Sequence, residues 1–242
     1  MATYNGERFV SEQISSILDQ IGKDDELVIV DDCSTDRTVS LIKSTDDSRI
    51  RLFQMEKNIG HVGAFEMAVS NANHDIIFLS DQDDIWRPDK YQIMLKEFKS
   101  DQNLILAVHS LSAIDVNGSL ICNNWHDLIS ESKYGPQLLL AELFKPRVFG
   151  SASAFRRRLL RLMLPFPNYL YAHDHWLVIC AAINGHVKFL AENLVSRRIH
   201  ESNVTPKSGA TLTKKIYYRI LFVRFIFIGT LRSIFLGGND VK

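Results

Sequence analysis

The sequence has few cysteines, no long apolar run and no excess of charge of either sign. Its 242 residues include three isolated cysteines, Cys33, Cys122 and Cys180, which suit neither a disulfide framework nor a zinc ribbon. The formal net charge is zero, so nothing global suggests nucleic-acid binding. No apolar run reaches the ~20 residues that a membrane span requires, and polar residues follow Met1 at once, unlike a signal peptide. These features predict a cytoplasmic protein.

The charge is unevenly distributed along the chain. Seven lysines and arginines, but a single acid, Asp240, lie between Lys207 and Lys242. The preceding part is correspondingly acidic. This asymmetry predicts an acidic body at residues 1–205 and a basic tail at residues 206–242.

Apolar runs alternate with helical patterns along the acidic body. Residues 27–30 and 76–79 are continuous apolar runs of the kind found in strands buried on both faces. Residues 7–20 and 62–72 carry apolar side chains at helical spacing. Such alternation predicts right-handed βαβ units and therefore an α/β, Rossmann-like fold with a mostly parallel twisted sheet flanked by helices.

Carboxylates follow both apolar runs. Asp31 and Asp32 come directly after the first run, and Asp81, Asp83 and Asp84 follow the second. Ligands of open α/β sheets bind beyond the carboxyl ends of the strands, so both groups should face one edge. Clustered carboxylates repel one another, and a hard cation such as Mg²⁺ or Mn²⁺ would relieve that repulsion. The alternative is a polar loop with capping aspartates.

Three competing motifs are not matched. A calcium loop that began at Asp81 would need glycine at its sixth position, which is Trp86. The chain contains no P-loop, and residues 60–63 lack the dinucleotide-binding G-x-G-x-x-G pattern.

Four ordered motifs resemble the family 2 glycosyltransferases with the GT-A fold. They are ATYNG at 2–6, VDDCSTD at 30–36, NIG at 58–60 and LSDQDDIWRPDK at 79–90. The last motif is similar to the rhamnosyltransferase-like branch that builds bacterial surface polysaccharides. The resemblance covers residues 1–205 and implies a GT-A domain. It further implies transfer of a sugar, with rhamnose as one candidate, from a UDP- or dTDP-sugar to an acceptor hydroxyl with inversion.

The resemblance also implies roles for single residues. The nucleotide-sugar-binding residues would be Thr3, Tyr4, Asp32, Asn58, Gly60 and Asp81. Asp81 and Asp83 form a D-x-D motif that, together with His200, is expected to hold Mg²⁺ or Mn²⁺.

Asp174 matches the acidic residue that deprotonates the acceptor hydroxyl in this family. A carboxylate is suitable because the incoming hydroxyl becomes acidic as the C1–O bond of the sugar breaks. Spacing alone equally allows Asp174 to cap the helix that follows. The flanking His173 and His175 could be taken as a zinc pair, but two such rings at a helix start diverge by about 200°.

The segment KKIYYRILFVRFIFIGTLRSIFL at residues 214–236 mixes apolar residues with arginines. It predicts an amphipathic helix that lies on an anionic membrane surface, on the inner membrane face. The alternative is a helix packed on the domain or on another subunit. The expected partners are a nucleotide-sugar donor, a saccharide or lipid-linked saccharide acceptor and this membrane surface, and no nucleic acid.

Relatives usually begin with a buried apolar strand just before the ATYNG match, and Met1 stands at the end of that strand. We therefore expect a sheet that lacks most of this strand. Two other functions stay open from the sequence: a catalytically degenerate nucleotide-sugar-binding protein and a metal-dependent nucleotidyltransferase.

Overall fold

The computed structural model describes residues 1–125, 128, 131–133, 135–144, 146–201 and 211–237. The strands are β1 (Ala2–Thr3), β2 (Leu27–Asp31), β3 (Ile50–Gln54), β4 (Ile76–Phe78), β5 (Ile85–Trp86), β6 (Leu104–Ile114), β7 (Leu120–Cys122), β8 (Glu131–Lys133), β9 (Ser153–Arg156) and β10 (His186–Arg198). The helices are α1 (Val10–Leu18), α2 (Thr38–Ser44), α3 (Gly60–Ser70), α4 (Lys90–Ser100), α5 (Gly135–Phe144), α6 (Leu160–Met163), α7 (His173–Asn184) and α8 (Leu212–Gly237). The parts of the predicted tail at 206–210 and 238–242 lie outside the described residues.

The first three strands form a parallel sheet in the order β1-β2-β3. β2 is buried at every position, as its unbroken apolar run predicts. Ala64 and Ala68 of α3 pack against Val28 and Val30 of β2, and their small side chains let the helix approach the sheet closely. This packing fixes the position of the carboxyl end of β2 relative to α3.

The second sheet is mixed. Its order is β4-β9-β6-β10-β5, with β7 paired to β6 and β8 to β10. β6 and β10 run parallel, whereas the other strand pairs of this sheet are antiparallel. The predicted parallel pairing thus holds for the first sheet and for β6 with β10. A strand buried on both faces shows no alternation in either direction of pairing, so the apolar runs could not reveal the antiparallel partners.

β1 is short, as expected. Met1 is buried, and its amino group donates a hydrogen bond to the Val28 carbonyl at 2.8 Å. Burial lowers the pKa of this amino group to about 5. A cavity of about 120 Å³ lies beside it, between β2 and β4, and its lining includes Val28, Phe65 and Ile77.

α8 docks on the body by one face. Phe222 and Phe225 are buried, and the Phe225 ring lies edge-on to Trp176 with centroids 6.2 Å apart. Further along the helix, Arg232 donates a hydrogen bond to the Met163 carbonyl at 3.0 Å. The predicted helical tail is present, and packing on the domain is confirmed for this face.

The opposite face of α8 is exposed and apolar. It presents Ile216, Tyr217, Ile220, Val223, Phe227, Leu231, Ile234 and Phe235. Among the described residues, no helix has the length and apolar character needed to span a membrane.

We expect Phe225→Ala to lower the free energy of unfolding by about 3 kcal/mol, because it leaves a cavity between α8 and α7. Phe227→Ala is the matched control on the same helix: its side chain is 63% exposed, so the change should cost under about 0.5 kcal/mol. Urea unfolding of the two variants measures the difference. Equal effects would show that α8 does not dock as described.

Candidate functional site

Asp32 connects the end of β2 to the start of α3. Its Oδ1 accepts a hydrogen bond from the Ile59 backbone N–H at 2.6 Å, and its carbonyl accepts one from the Asn58 side chain at 3.3 Å. The Asn58 Oδ1 in turn accepts from the Gly60 N–H at 3.2 Å. Gly60 has φ +78°, a left-handed conformation that glycine adopts without strain. Three predicted nucleotide-binding residues, Asp32, Asn58 and Gly60, therefore lie together.

Thr3 is buried behind this edge. Its hydroxyl donates to Asp31 Oδ2 at 2.9 Å, and the Ser34 hydroxyl donates to the same oxygen at 2.6 Å. With 2% of its surface exposed, the Thr3 side chain supports the strand end and is not presented to a ligand. Its neighbour Tyr4, 47% exposed, is the residue of the pair that faces outward.

Gln82 joins the end of β1 to the D-x-D loop. It accepts a hydrogen bond from the Tyr4 N–H at 2.8 Å and donates one to the Tyr4 carbonyl at 3.0 Å. Its amide packs directly over Gly6, where a Cβ atom would lie 2.3 Å from Gln82 Oε1. The middle residue of the D-x-D motif therefore fixes the distance between the two predicted binding regions.

Asp83 and His200, both predicted metal ligands, are in direct contact. His200 Nε2 lies 2.7 Å from Asp83 Oδ2. Two residues before His200, the buried Arg198 donates from Nε to the Asp83 carbonyl at 3.1 Å and from its backbone N–H to Asp84 Oδ1 at 3.2 Å. The end of β10 is thus tied to the D-x-D loop.

The remaining carboxylates of the loop are crowded. Burial, followed by the charges of Asp84 and Asp83, raises the pKa of Asp81 well above its usual value. Burial and the charge of Asp83 raise the pKa of Asp84 to about 6. Asp84 points into the body, where its Oδ2 has no hydrogen-bond partner among the described residues, whereas Asp81 and Asp83 stay partly exposed.

Of the predicted metal ligands Asp81, Asp83 and His200, the structure brings Asp83 and His200 into contact, and these two could hold a divalent cation together with phosphate oxygens. Mg²⁺ commonly takes only one or two carboxylates from the protein and completes its shell with substrate phosphates and water. In the described ranges, no group of three or more His, Cys, Asp or Glu side chains is arranged to hold a metal ion. The buried, mutually repelling carboxylates of the loop are consistent with a cation at this place.

Asp174 lies in the first turn of α7, which begins at His173. The cap position is Ala172, and no side-chain hydrogen bond caps this helix. Asp174 Oδ1 accepts a hydrogen bond from the His175 N–H at 2.8 Å. Asp174 is therefore not the N-cap residue of this helix, and the capping alternative is wrong. Because Asp174 lies in the first turn, the positive end of the helix still stabilises its charge.

His173 and His175 point in different directions. The buried His173 ring stacks on Phe65 with centroids 3.9 Å apart, and burial lowers its pKa to about 4. His175 Nδ1 lies 2.5 Å from the Tyr171 hydroxyl on the other side of the helix. The two rings do not form a zinc pair.

The charge of Asp174 acts on two other groups of the candidate site. His61, at the start of α3, has its pKa lowered by burial, and the charges of Asp174 and Asp32 act on it in the opposite direction. Asp174 also contributes to the raised pKa of Asp81. Asp174 therefore lies within electrostatic range of Asp81, and both Asp174 and Asp32 lie within that range of His61.

The sequence matches the family described as glycosyl transferase family 2 over residues 1–162. The chain belongs to this family.

Individual relatives agree with that assignment, and a solved structure shares the fold. An uncharacterized glycosyltransferase of Nostoc sp. is 31% identical over 217 residues, which cover 84% of this chain and 64% of the relative. A UDP-Glc:alpha-D-GlcNAc-diphosphoundecaprenol beta-1,3-glucosyltransferase of Escherichia coli is 28% identical and covers 73% of this chain and 66% of its own length. The crystal structure of S. aureus TarS 1-349 in complex with UDP has a TM-score of 0.70 at 19% identity, with coverage of 95% and 64%.

The structural likeness confirms the predicted GT-A fold. The chain spans less than two thirds of the length of the Nostoc relative and of the TarS structure. The family is thus shown from the first 162 residues, and the fold from nearly the whole chain.

Sequence reasoning missed several residues of this family 2 site. Gln82 is the middle residue of the D-x-D motif, and its side chain forms two hydrogen bonds with the Tyr4 backbone. The sequence gives no indication that the charges of both Asp32 and Asp174 act on His61. Arg198 lies two residues before the predicted ligand His200, which could have drawn attention to it. Its partners Asp83 and Asp84 are more than one hundred residues away in sequence, so its hydrogen bonds could not be predicted.

The Gly6–Gln82 contact can be tested by a double-mutant cycle. Gly6→Ala should displace the Gln82 amide, and Gln82→Ala removes it, so each change should lower the free energy of unfolding by about 1 kcal/mol. The double variant should be no less stable than Gln82→Ala alone, because both changes break the same bridge. Additive losses in chemical denaturation would contradict this role for Gln82.

Proposed function

We propose that this chain transfers a sugar from a UDP- or dTDP-sugar to a hydroxyl group of a saccharide acceptor, with inversion at the anomeric carbon. The observation that supports this best is that the charge of Asp174 reaches both Asp81 of the D-x-D motif and His61, on which Asp32 also acts. Asp32 and Asp81 are the residues expected to bind the nucleotide diphosphate. Asp174 is a carboxylate at a helix start.

The donor nucleotide would bind along the edge formed by β1, β2 and the start of α3. Asp32 and Asn58 are held there by hydrogen bonds to the backbone of residues 58–60, so they are in place before a ligand arrives. The exposed Tyr4 ring offers a surface for the base. Such a preformed arrangement reduces the entropy lost on binding.

Asp83 and His200, with Asp81, would hold Mg²⁺ or Mn²⁺ against the diphosphate. When bound, the cation would offset the negative charge that develops on the departing nucleoside diphosphate. The 2.7 Å contact between Asp83 Oδ2 and His200 Nε2 places the two side chains next to each other, and a cation would replace the proton between them.

Asp174 would act as the general base. The acceptor oxygen attacks C1 of the sugar from the face opposite the diphosphate, the C1–O bond to the diphosphate breaks, and the acceptor proton passes to the Asp174 carboxylate. Asp174 Oδ2 accepts no hydrogen bond from the described residues, so it is free to receive this proton. The buried His173 beside it is neutral near pH 7 and does not compete for the carboxylate.

The natural product would be a bacterial surface polysaccharide. The Escherichia coli relative is named for a lipid-diphosphate-linked acceptor, and a lipid-linked saccharide is therefore a reasonable acceptor for this chain as well. Rhamnose remains one candidate sugar through the resemblance of residues 79–90.

Replacement of the proposed base tests this mechanism. Asp174→Asn should lower the rate of sugar transfer by about 10²–10⁴-fold and leave donor affinity unchanged, since a neutral amide of the same shape cannot accept the proton. The measurement is nucleoside diphosphate release from a panel of UDP- and dTDP-sugars, with and without Mn²⁺. Asp89→Asn is the matched control, because Asp89 is exposed and its left-handed backbone suits asparagine.

The same assay separates the alternatives. A nucleotidyltransferase would form pyrophosphate from a nucleoside triphosphate and a sugar phosphate. A degenerate binding protein would bind the donor with no turnover under any condition. Full activity of the Asp174→Asn variant would remove Asp174 from the mechanism.

We further propose that the exposed face of α8 rests on an anionic membrane. Ile220, Phe227 and Phe235 are each more than 60% exposed on this face. The described part of the tail, residues 211–237, carries five lysines and arginines and no acid. Apolar area and positive charge together are what an interfacial helix requires.

Vesicle flotation tests the membrane proposal. The triple substitution Ile220→Ser, Phe227→Ser and Phe235→Ser should abolish binding to vesicles that contain anionic lipid, without unfolding the body, because none of the three side chains is buried. This test is cleaner than deletion of the helix, which would remove Phe225 and uncover Trp176 in the body. Unchanged flotation of the triple variant would contradict the proposal.

A further inference from the structure

A groove of about 260 Å³ lies between α5, α7 and α8, beside the first turn of α7. Its lining includes Phe144, Tyr171, His175, Lys215, Arg219 and Phe222. The rings form a continuous apolar wall: Phe222 lies edge-on to His175 at 5.8 Å between centroids, and Tyr171 stacks on Tyr218 at 4.6 Å. The volume is below the ~300–1,000 Å³ of pockets that enclose a whole ligand, so the groove suits part of a longer molecule.

One side of the groove is positively charged. Lys215 and Arg219 are one helical turn apart, so both side chains project from the same face of α8. Arg219 lies over the Phe144 ring, 5.3 Å from its centroid, which aligns the guanidinium with the groove. The carboxylate in the lining, Glu142, is buried and paired with Arg147 at 3.3 Å. The net charge offered to a ligand is therefore positive.

The groove lies next to two other proposed parts of the protein. His175, in its lining, follows the proposed base Asp174 and donates its backbone N–H to that carboxylate. Lys215, Arg219 and Phe222, also in the lining, belong to α8, whose opposite face is exposed and apolar. A molecule bound in the groove would therefore lie beside both α8 and the first turn of α7.

We propose that the groove binds the diphosphate and the adjoining hydrocarbon of a polyprenyl-diphosphate-linked acceptor. Lys215 and Arg219 bind the diphosphate by charge-assisted hydrogen bonds, and Tyr171 and Phe222 pack against the first part of the hydrocarbon chain. The acceptor sugar then extends toward Asp174, and the rest of the chain leaves along α8. This assignment rests on the proposed sugar transfer to a lipid-linked acceptor and adds the binding site of that acceptor.

Direct binding of a short-chain probe tests the groove without any sugar transfer. Farnesyl diphosphate is titrated calorimetrically against the full chain, without divalent cations so that the donor site does not retain the diphosphate. Inorganic pyrophosphate and farnesol are the comparison ligands, since each offers one half of the proposed chemistry. The variants are Lys215→Gln/Arg219→Gln and the control Arg224→Gln, an exposed arginine outside the groove lining.

Farnesyl diphosphate should bind more tightly than either comparison ligand, and the double variant should lose at least about tenfold in affinity. Arg224→Gln should bind like the unmodified protein. Lys215→Gln alone should also lower the affinity for farnesyl diphosphate. Because Lys215 is exposed, this change should not affect folding. Equal weakening by Arg224→Gln would overturn the proposal, because it would show a general attraction to the basic helix.

Acceptor kinetics separate this proposal from the proposed function. If the protein transfers sugar to a prenyl-diphosphate-linked acceptor and the double variant has an unchanged acceptor KM, the groove assignment is wrong while sugar transfer stands. If no sugar transfer is found but farnesyl diphosphate binding depends on Lys215 and Arg219, the groove assignment stands and the proposed reaction fails.

Discussion

The buried guanidinium of Arg198 holds three separate parts of the site in one arrangement. It donates to the Asp83 carbonyl and to the Glu12 carboxylate of α1, the latter at 2.6 Å, while the Arg198 backbone binds Asp84. A buried arginine is stable only when its charge and its N–H groups are matched by partners, so these contacts are mutually dependent. His200 follows two residues later, and its position on Asp83 results from this arrangement.

The same packing concentrates negative charge at the carboxyl edge of the sheets. The raised pKa values of Asp81 and Asp84 express the free-energy cost of ionised carboxylates placed close together in a buried setting. The buried Lys90 lies near both groups, but burial lowers its own pKa to about 7. Lys90 therefore offsets only part of the negative charge of Asp81 and Asp84. This cost is the physical basis of the proposed cation site, because a bound cation would offset the negative charge of the loop.

The sequence predicts those residues of the candidate site that come directly after a recognisable strand. Asp32 and Asp83 each follow an apolar run, and both lie just beyond a strand as predicted, although β2 and β4 belong to different sheets. The role of Gln82 could not be predicted, because its partner Tyr4 is 78 positions away. The antiparallel pairing in the second sheet was not predicted from the sequence. Strands buried on both faces lack the alternation of apolar and polar residues that is typical of antiparallel sheets. The amphipathic pattern of α8 predicted two unlike faces, but only the structure shows that Phe225 belongs to the docked one.

The central claim is that one cleft holds the nucleotide and a cation between Asp32, the D-x-D loop and Asp174. A crystal structure of the protein with UDP and Mn²⁺, with anomalous scattering recorded at the manganese edge, tests it most directly. The account predicts one manganese peak that contacts Asp83 and the diphosphate, the base and ribose near Asp32, and an open space between the terminal phosphate and Asp174. A nucleotide bound in another cleft, or a manganese ion remote from Asp83, would contradict it.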